Sequence, residues 1–229
     1  MNKNSVFTFY TSIPVDNALV HKLTITQKNA KVLEDFVSAH SDKIRQVHLH
    51  GNIGDLVLLG TEFEGLIKVF AASKKEILPY SQMLKERKCL VCPEFPVEKL
   101  EDISFITTMG VAVDLLYRID HMAKGVVLKI LNYYLHYRPL NTPIEPFHSI
   151  LMSRLRKERL SLWNLHLQYP GILKEYFESI PRNHPGCMSC VHFHFCFSWG
   201  RYKKDSCVMW KEVLDRLQAN ARLIAMKTA

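Results

Sequence analysis

The first 137 residues carry two hydrophobic rhythms, a period of two and a period of about 3.6, in short alternating stretches. Residues 6–10 (VFTFY) alternate and are rich in β-formers, which predicts a strand, and residues 23–26 predict a second, shorter one. Asn29 is placed to cap a helix whose Val32, Leu33, Phe36 and Val37 share one face. Residues 44–50 (IRQVHLH) read as the next strand and end in the turn Gly51-Asn-Ile-Gly54. Thr61-Glu-Phe-Glu64 has the S/T-x-x-E form of a capping box and predicts a helix with Phe63, Leu66, Ile67 and Phe70 inward. Residues 77–84 fit either period. Residues 88–95 (KCLVCPEF) read as a strand stopped by Pro93 and Pro96. Pro96 opens a helical stretch with Leu100, Ile103 and Ile106 on one side, and residues 111–117 (VAVDLLY) form a further strand. Val126, Val127, Ile130, Leu131 and Tyr134 make a helical stripe that runs to Leu135. Strands and helices alternating at intervals of roughly 15–20 residues predict an α/β fold, either a partial (β/α) barrel or an open, mostly parallel sheet.

Beyond residue 137 the rhythm breaks. Residues 138–147 contain three prolines and read as an ordered loop, followed by a basic helix over 149–162. Short apolar segments follow at 162–167 and 173–179, then a linker, Pro181-Arg-Asn-His-Pro-Gly186. Asp205 or Ser206 begins a terminal helix with Trp210, Val213, Leu214, Leu217, Ala221 and Ile224 at helical spacing. The organisation expected is a βα domain over 1–180 and a small cysteine-rich module with a C-terminal helix over 181–229.

Composition changes this picture little. The 229 residues are 48% apolar and 23% charged, as in an ordinary globular protein, and no run of 18 apolar residues suits a membrane span. The first 15 residues make a poor secretory signal, so a cytoplasmic location is expected. The net charge of +8 admits nucleic acid or an acidic peptide as a partner. The basic residues are spread, however, with local groups only at Arg154-Leu-Arg-Lys-Glu-Arg159 and Arg201-Tyr-Lys-Lys204. No nucleic-acid-binding signature accompanies them. The common local motifs of phosphate, dinucleotide, hydrolase and metalloprotease sites are absent as well.

The chemistry is concentrated in Cys187-Met-Ser-Cys190-Val-His-Phe-His-Phe-Cys196, with Cys207 eleven residues further on. Thiolates suit zinc and iron–sulfur clusters, and a Cx2C step brings two sulfurs within reach of one metal. Cys187, Cys190, Cys196 and Cys207 are therefore the expected metal ligands, and four thiolates satisfy either kind of centre. Phe193, Phe195, Phe197, Trp199 and Trp210 would supply an apolar shell. His192 and His194 are alternative ligands, though as solvent-side residues they need no such role. Cys89 and Cys92 form a second Cx2C, but positions i and i+3 of a strand face opposite ways, so both are expected in the core. His48 and His50 share one strand face just before a glycine turn, where α/β proteins place ligands; a hydrogen-bonded structural pair is the plainer reading. Glu145 and His148 sit in a proline-rich loop, placed for an ion pair or a ligand contact.

The order of these pieces resembles radical SAM peptide maturases with a C-terminal SPASM-type domain, which act on ribosomally made peptides. The resemblance spans roughly residues 44–215 and rests on the βα rhythm, the segment from Asn132 to His148, Leu162-Trp163, the Cx2Cx5C module and Trp210. Its most specific part is Cys187, Cys190 and Cys196. Two departures are plain. The family's activating CxxxCxxC has no counterpart, since no cysteine precedes Cys89, and Gly51-Asn-Ile-Gly54 does not match the turn that contacts S-adenosylmethionine. Cys207 also follows at x10 rather than x3. The resemblance thus implies a degenerate member with one auxiliary 4Fe-4S cluster, zinc being the alternative, and no adenosylmethionine cleavage. It further implies a non-catalytic role beside a precursor peptide or a complete radical SAM maturase. A zinc-stapled protein binding nucleic acid is the competing reading.

Overall fold

Alternation at residues 6–10 and 44–50 does produce strands, and these two are neighbours. The computed structural model describes residues 5–11, 21–26, 30–60, 63–116, 118–137, 142–156, 185–192 and 204–228. The chain divides into two compact units, Met1–Arg118 with Asn141–Pro143, and Ile119–Leu140 with Ile144–Ala229. The boundary expected between residues 180 and 181 lies outside the described residues.

In the first unit, β1 (Val6–Thr11) lies between β2 (His21–Thr26) and β3 (Ile44–His50) and is antiparallel to both. β4 (Leu66–Ala71), β5 (Leu90–Pro93) and β6 (Ala112–Asp114) then continue in parallel from β3, giving the linear order β2-β1-β3-β4-β5-β6. Parallel neighbours need crossovers. A 3-10 helix (Ile53–Leu59) joins β3 to β4. α2 (Lys74–Ile77) and α3 (Ser81–Glu86) join β4 to β5, and α4 (Glu101–Thr108) joins β5 to β6. The fold is α/β with a mostly parallel sheet, as the rhythm predicts.

The helix expected over residues 61–70 is not there. The capping-box pattern at Thr61–Glu64 does not open a helix, because 66–71 is strand β4. Leu66, Ile67 and Phe70 fit a helical spacing, but Gln46–His50 of β3 and Leu90–Pro93 of β5 flank this segment and take up its backbone hydrogen bonds. Ile67 to Ala71 are buried, as befits a strand covered on both faces.

One sheet face is apolar: Phe7, Phe9, Ile25, Val47, Leu49, Ile67, Val69, Val91 and Val113. α1 (Ala30–His40) packs there through Leu33, Val37 and Phe36, whose ring meets Phe9 edge-on at 5.1 Å. Val32, expected on the same stripe, is exposed. Gly51 follows β3 at φ +118°, and a β-carbon there would stand 2.9 Å from Ser5. The glycine lets Ser5 Oγ accept the Asn52 N–H at 2.8 Å.

Asp102 steadies the start of α4. It accepts the N–H groups of Glu98 and Lys99 and the Lys74 ammonium. Burial pushes its carboxyl up, yet the Lys74 ammonium and the two N–H groups outweigh burial and hold it below the ordinary aspartate range. A depressed carboxyl contributes stability that is present above the unfolded value, near 4, and is lost as pH falls through the folded one. Denaturant midpoints should therefore drop with acid below about pH 4, and drop less steeply in Asp102→Asn. Parallel curves for the two proteins would contradict this.

In the second unit, α5 (Lys124–His136) buries Val127, Ile130, Leu131, Tyr134 and Leu135. The two-residue strand β7 (Ile144–Glu145) leads into α6 (Phe147–Arg156). A four-residue helix, α7 (Pro185–Met188), stands where Pro185 and Gly186 were expected to end a linker. The terminal α8 (Lys204–Thr228) buries Met209, Trp210, Val213, Leu214, Leu217 and Ala221 and packs on α5 and α6. Lys124 pairs with Glu212 at 2.7 Å, and Arg216 reaches Asn132 at 2.9 Å. The segments expected at 162–167 and 173–179, and the end of the basic helix beyond Arg156, lie outside the described residues. Among the described residues no helix is long and apolar enough to cross a membrane.

Glu145 is a helix-starting residue. Its carboxylate accepts the Ser149 N–H at 3.2 Å and the Ser149 hydroxyl at 2.8 Å, satisfying a donor that the first turn of α6 leaves open. Glu145→Ala should cost about 1–2 kcal/mol in denaturant unfolding. A change too small to measure would remove the capping role.

Candidate functional site

The thiolate segment begins at α7. Within it the Cys190 N–H donates to the Cys187 carbonyl at 3.0 Å, closing a turn over the Cx2C step. Both cysteines are half-buried, and a Cx2C step is short enough for two sulfurs to reach one metal. Cys207 is half-buried in the first turn of α8. Cys196 lies outside the described residues, as do His194, Phe193, Phe195, Phe197 and Trp199, while Trp210 is buried. Among the described residues, no three His, Cys, Asp or Glu side chains gather as a metal-holding group. Among the described residues, then, Cys187 and Cys190 are linked through a backbone turn, and no third candidate ligand gathers with them.

His192 differs from its expected place at the solvent side. It is 4% exposed. Its Nε2 meets Asp215 Oδ1 at 2.9 Å and its Nδ1 meets an Arg154 Nη2 at 3.4 Å. A guanidinium only donates and a carboxylate only accepts, so an imidazole carrying its hydrogen on Nε2 satisfies both. With both ring nitrogens engaged, His192 is not a ligand in this arrangement.

A second chemical feature is the sheet's other face. Strand register lines up Thr8 and Tyr10 on β1, Gln46, His48 and His50 on β3, Lys68 and Phe70 on β4, Cys92 on β5 and Asp114 on β6. Lys68 and Asp114 are wholly buried, and the ammonium lies 2.6 Å from the carboxylate. Asp114 also accepts the Leu116 N–H at 2.8 Å. Cys92 shares this row; burial pushes its thiol well up, Asp114 adds to the effect, and Lys68 opposes it. Cys89 is buried too, and burial pushes its thiol up to about 12. Both cysteines are core residues and stay protonated, so neither is poised as a nucleophile or ligand.

His48 and His50 flank one ring. Phe70 lies 5.2 Å from His48 and stacks on His50 at 4.0 Å. The buried His48 contacts the Gln46 amide and Tyr10, whereas the half-exposed His50 pairs with Glu94 at 3.4 Å. Arg118 clasps the end of β5, donating to the Pro93 and Glu94 carbonyls. In the second unit His148 bonds to the Tyr134 hydroxyl at 3.0 Å. Burial and Arg156 lower the His148 ring, and burial, with Glu145, raises the Tyr134 phenol.

The Lys68–Asp114 pair is not predicted by any local pattern of the chain. Its signal is a charge set among apolar residues in each of two strands, Lys68 inside β4 (LIKVFA) and Asp114 at the end of β6 (AVD). No family model matches the chain, no curated protein matches it, and no solved structure matches it.

Proposed function

We propose that this chain is a degenerate relative of radical SAM peptide maturases. It serves as an accessory binding protein in a ribosomal-peptide modification system, holds one 4Fe-4S cluster and does not cleave S-adenosylmethionine. Cys187, Cys190, Cys196 and Cys207 would hold the cluster. The observation that carries the reading is the hydrogen-bonded Cys187–Cys190 turn within a four-cysteine segment. It offers the thiolate chemistry and local turn that a metal needs, and the α/β order of the first unit accords with the same ancestry. A cluster with four thiolate ligands has no open position for substrate, so its contribution is structural or electron-transferring. Substrate contact then falls to the protein, and a precursor peptide or a complete maturase is the partner.

The test uses the anaerobically purified chain and, as probe, the short peptide encoded next to its own gene. Saturable peptide binding in fluorescence anisotropy is expected, with no 5′-deoxyadenosine when S-adenosylmethionine and dithionite are added. Formation of that product, or failure to bind peptide, would overturn the proposal. Nucleic-acid binding that weakens steeply with salt, in a protein holding one zinc, would favour the zinc-stapled alternative.

A further inference from the structure

We propose that the exposed side of α5, where Tyr133 and Tyr137 stack beside Lys129 and His136, is a docking surface for an acidic peptide. This deepens the accessory reading above and rests on it for the kind of partner. α5 is two-sided. Val127, Ile130, Leu131, Tyr134 and Leu135 are buried in the core of the second unit. Lys129, Tyr133, His136 and Tyr137, spaced three and four residues apart, share the opposite side. Tyr137 is 76% exposed, and its ring stacks on that of Tyr133 with centroids 6.1 Å apart and planes 19° from parallel. The two rings make a flat shelf on a helix held firm from behind. Tyrosine offers a partner a large contact area while freezing only two side-chain torsions.

A lone exposed ring would mean little. Here charge accompanies it. α5 contains no Asp or Glu. At its border with α8, Glu212 pairs with Lys124 and Arg216, each at 2.7 Å, and Arg216 donates to Asn132 at 2.9 Å. Among these residues three cations, Lys124, Lys129 and Arg216, stand against the single carboxylate of Glu212, a surplus of two. That surplus decides the occupant. Single-stranded nucleic acid carries a charge on every residue and is held by a track of cations. A surplus of two suits a short peptide with a few carboxylates and an aromatic or apolar side chain to lie on the tyrosines. The net charge of +8 favours the approach of the same partner from a distance.

The probe is a short fluorescein-labelled peptide of alternating Glu and Tyr, with an oligothymidylate of the same length beside it. Anisotropy with the full, anaerobically purified chain should show saturable binding of the Glu–Tyr peptide that weakens as salt rises. Tyr137→Ala and Lys129→Glu should each weaken it about fivefold or more, and Tyr137→Phe, which keeps the ring, should bind as wild type. Lys75→Glu changes the charge equally at an exposed position of the first unit and should leave affinity within about twofold. Tyr137 has little buried area to lose, so Tyr137→Ala should keep the wild-type melting temperature. No binding of the Glu–Tyr peptide, or an equal loss in Lys75→Glu, would overturn the surface. Tighter binding of oligothymidylate, with the same dependence on Tyr137, would overturn the peptide as occupant in favour of nucleic acid. The neighbouring-gene peptide separates this inference from the reading beneath it. If that peptide binds wild type and Tyr137→Ala equally, the surface is wrong and the accessory role stands. If it does not bind wild type while the Glu–Tyr peptide binds through Tyr137, the accessory role fails and the acidic-peptide surface stands.

Discussion

Lys68→Met is expected to destabilise the protein by about 3–5 kcal/mol, read as a lower urea midpoint, because it leaves the Asp114 carboxylate buried without its cation. Neither side chain has any accessible surface, and 2.6 Å separates ammonium from carboxylate. Water cannot replace the lost partner. The Leu116 N–H remains, but one neutral donor does not offset a desolvated charge. A second substitution separates the penalty of an orphaned charge from the worth of the pair itself. Lys68→Met with Asp114→Leu removes both charges, and most of the lost stability should return, since apolar replacements of buried pairs are often neutral or better. A double variant as unstable as the single would show that the polar row contributes more than mutual neutralisation.

The other large effect concerns the metal. Cys187→Ser with Cys190→Ser should abolish metal retention and remove the metal-linked part of the second unit's stability. The size of that part follows from linkage. A ligand present at a thousandfold its dissociation constant adds about 4 kcal/mol, well short of the 10–16 kcal/mol by which zinc folds a small finger. The smaller figure applies because α5, α6 and α8 have a core of their own, centred on Tyr134, Phe147, Trp210 and Leu217, that does not depend on metal. Chelation of the wild type should lower its melting temperature to that of the serine variant, whose own transition should ignore the chelator. Equal chelator sensitivity in both proteins would show that those two sulfurs hold nothing.

The elements that were legible from sequence are those whose period is clean. Residues 46–50 alternate polar and apolar, and 126–135 and 210–221 keep a helical stripe, so tertiary packing agrees with local pattern there. β4 has the local pattern of a helix because Phe63, Leu66, Ile67 and Phe70 fall at helical spacing, while the strand, covered on both faces, shows no alternation. Its interior lysine hid the strand further. The polar face was half visible: His48 and His50 reveal one strand's contribution. Lys68 and Asp114 meet only through the register of β4, β5 and β6, across 46 residues of chain. The cysteine pattern was legible as a pattern. The setting of His192 was not, because Asp215 and Arg154 lie 23 and 38 residues away and nothing local marks them as partners.

The central claim is a metal centre on Cys187, Cys190, Cys196 and Cys207, and metal analysis of the chain purified without oxygen tests it most directly. The account predicts a brown protein with about four iron and four sulfide per chain, both lost in the Cys187→Ser/Cys190→Ser variant. A colourless protein with one zinc and no iron would contradict the cluster. A protein holding no more metal than that variant would contradict the centre altogether.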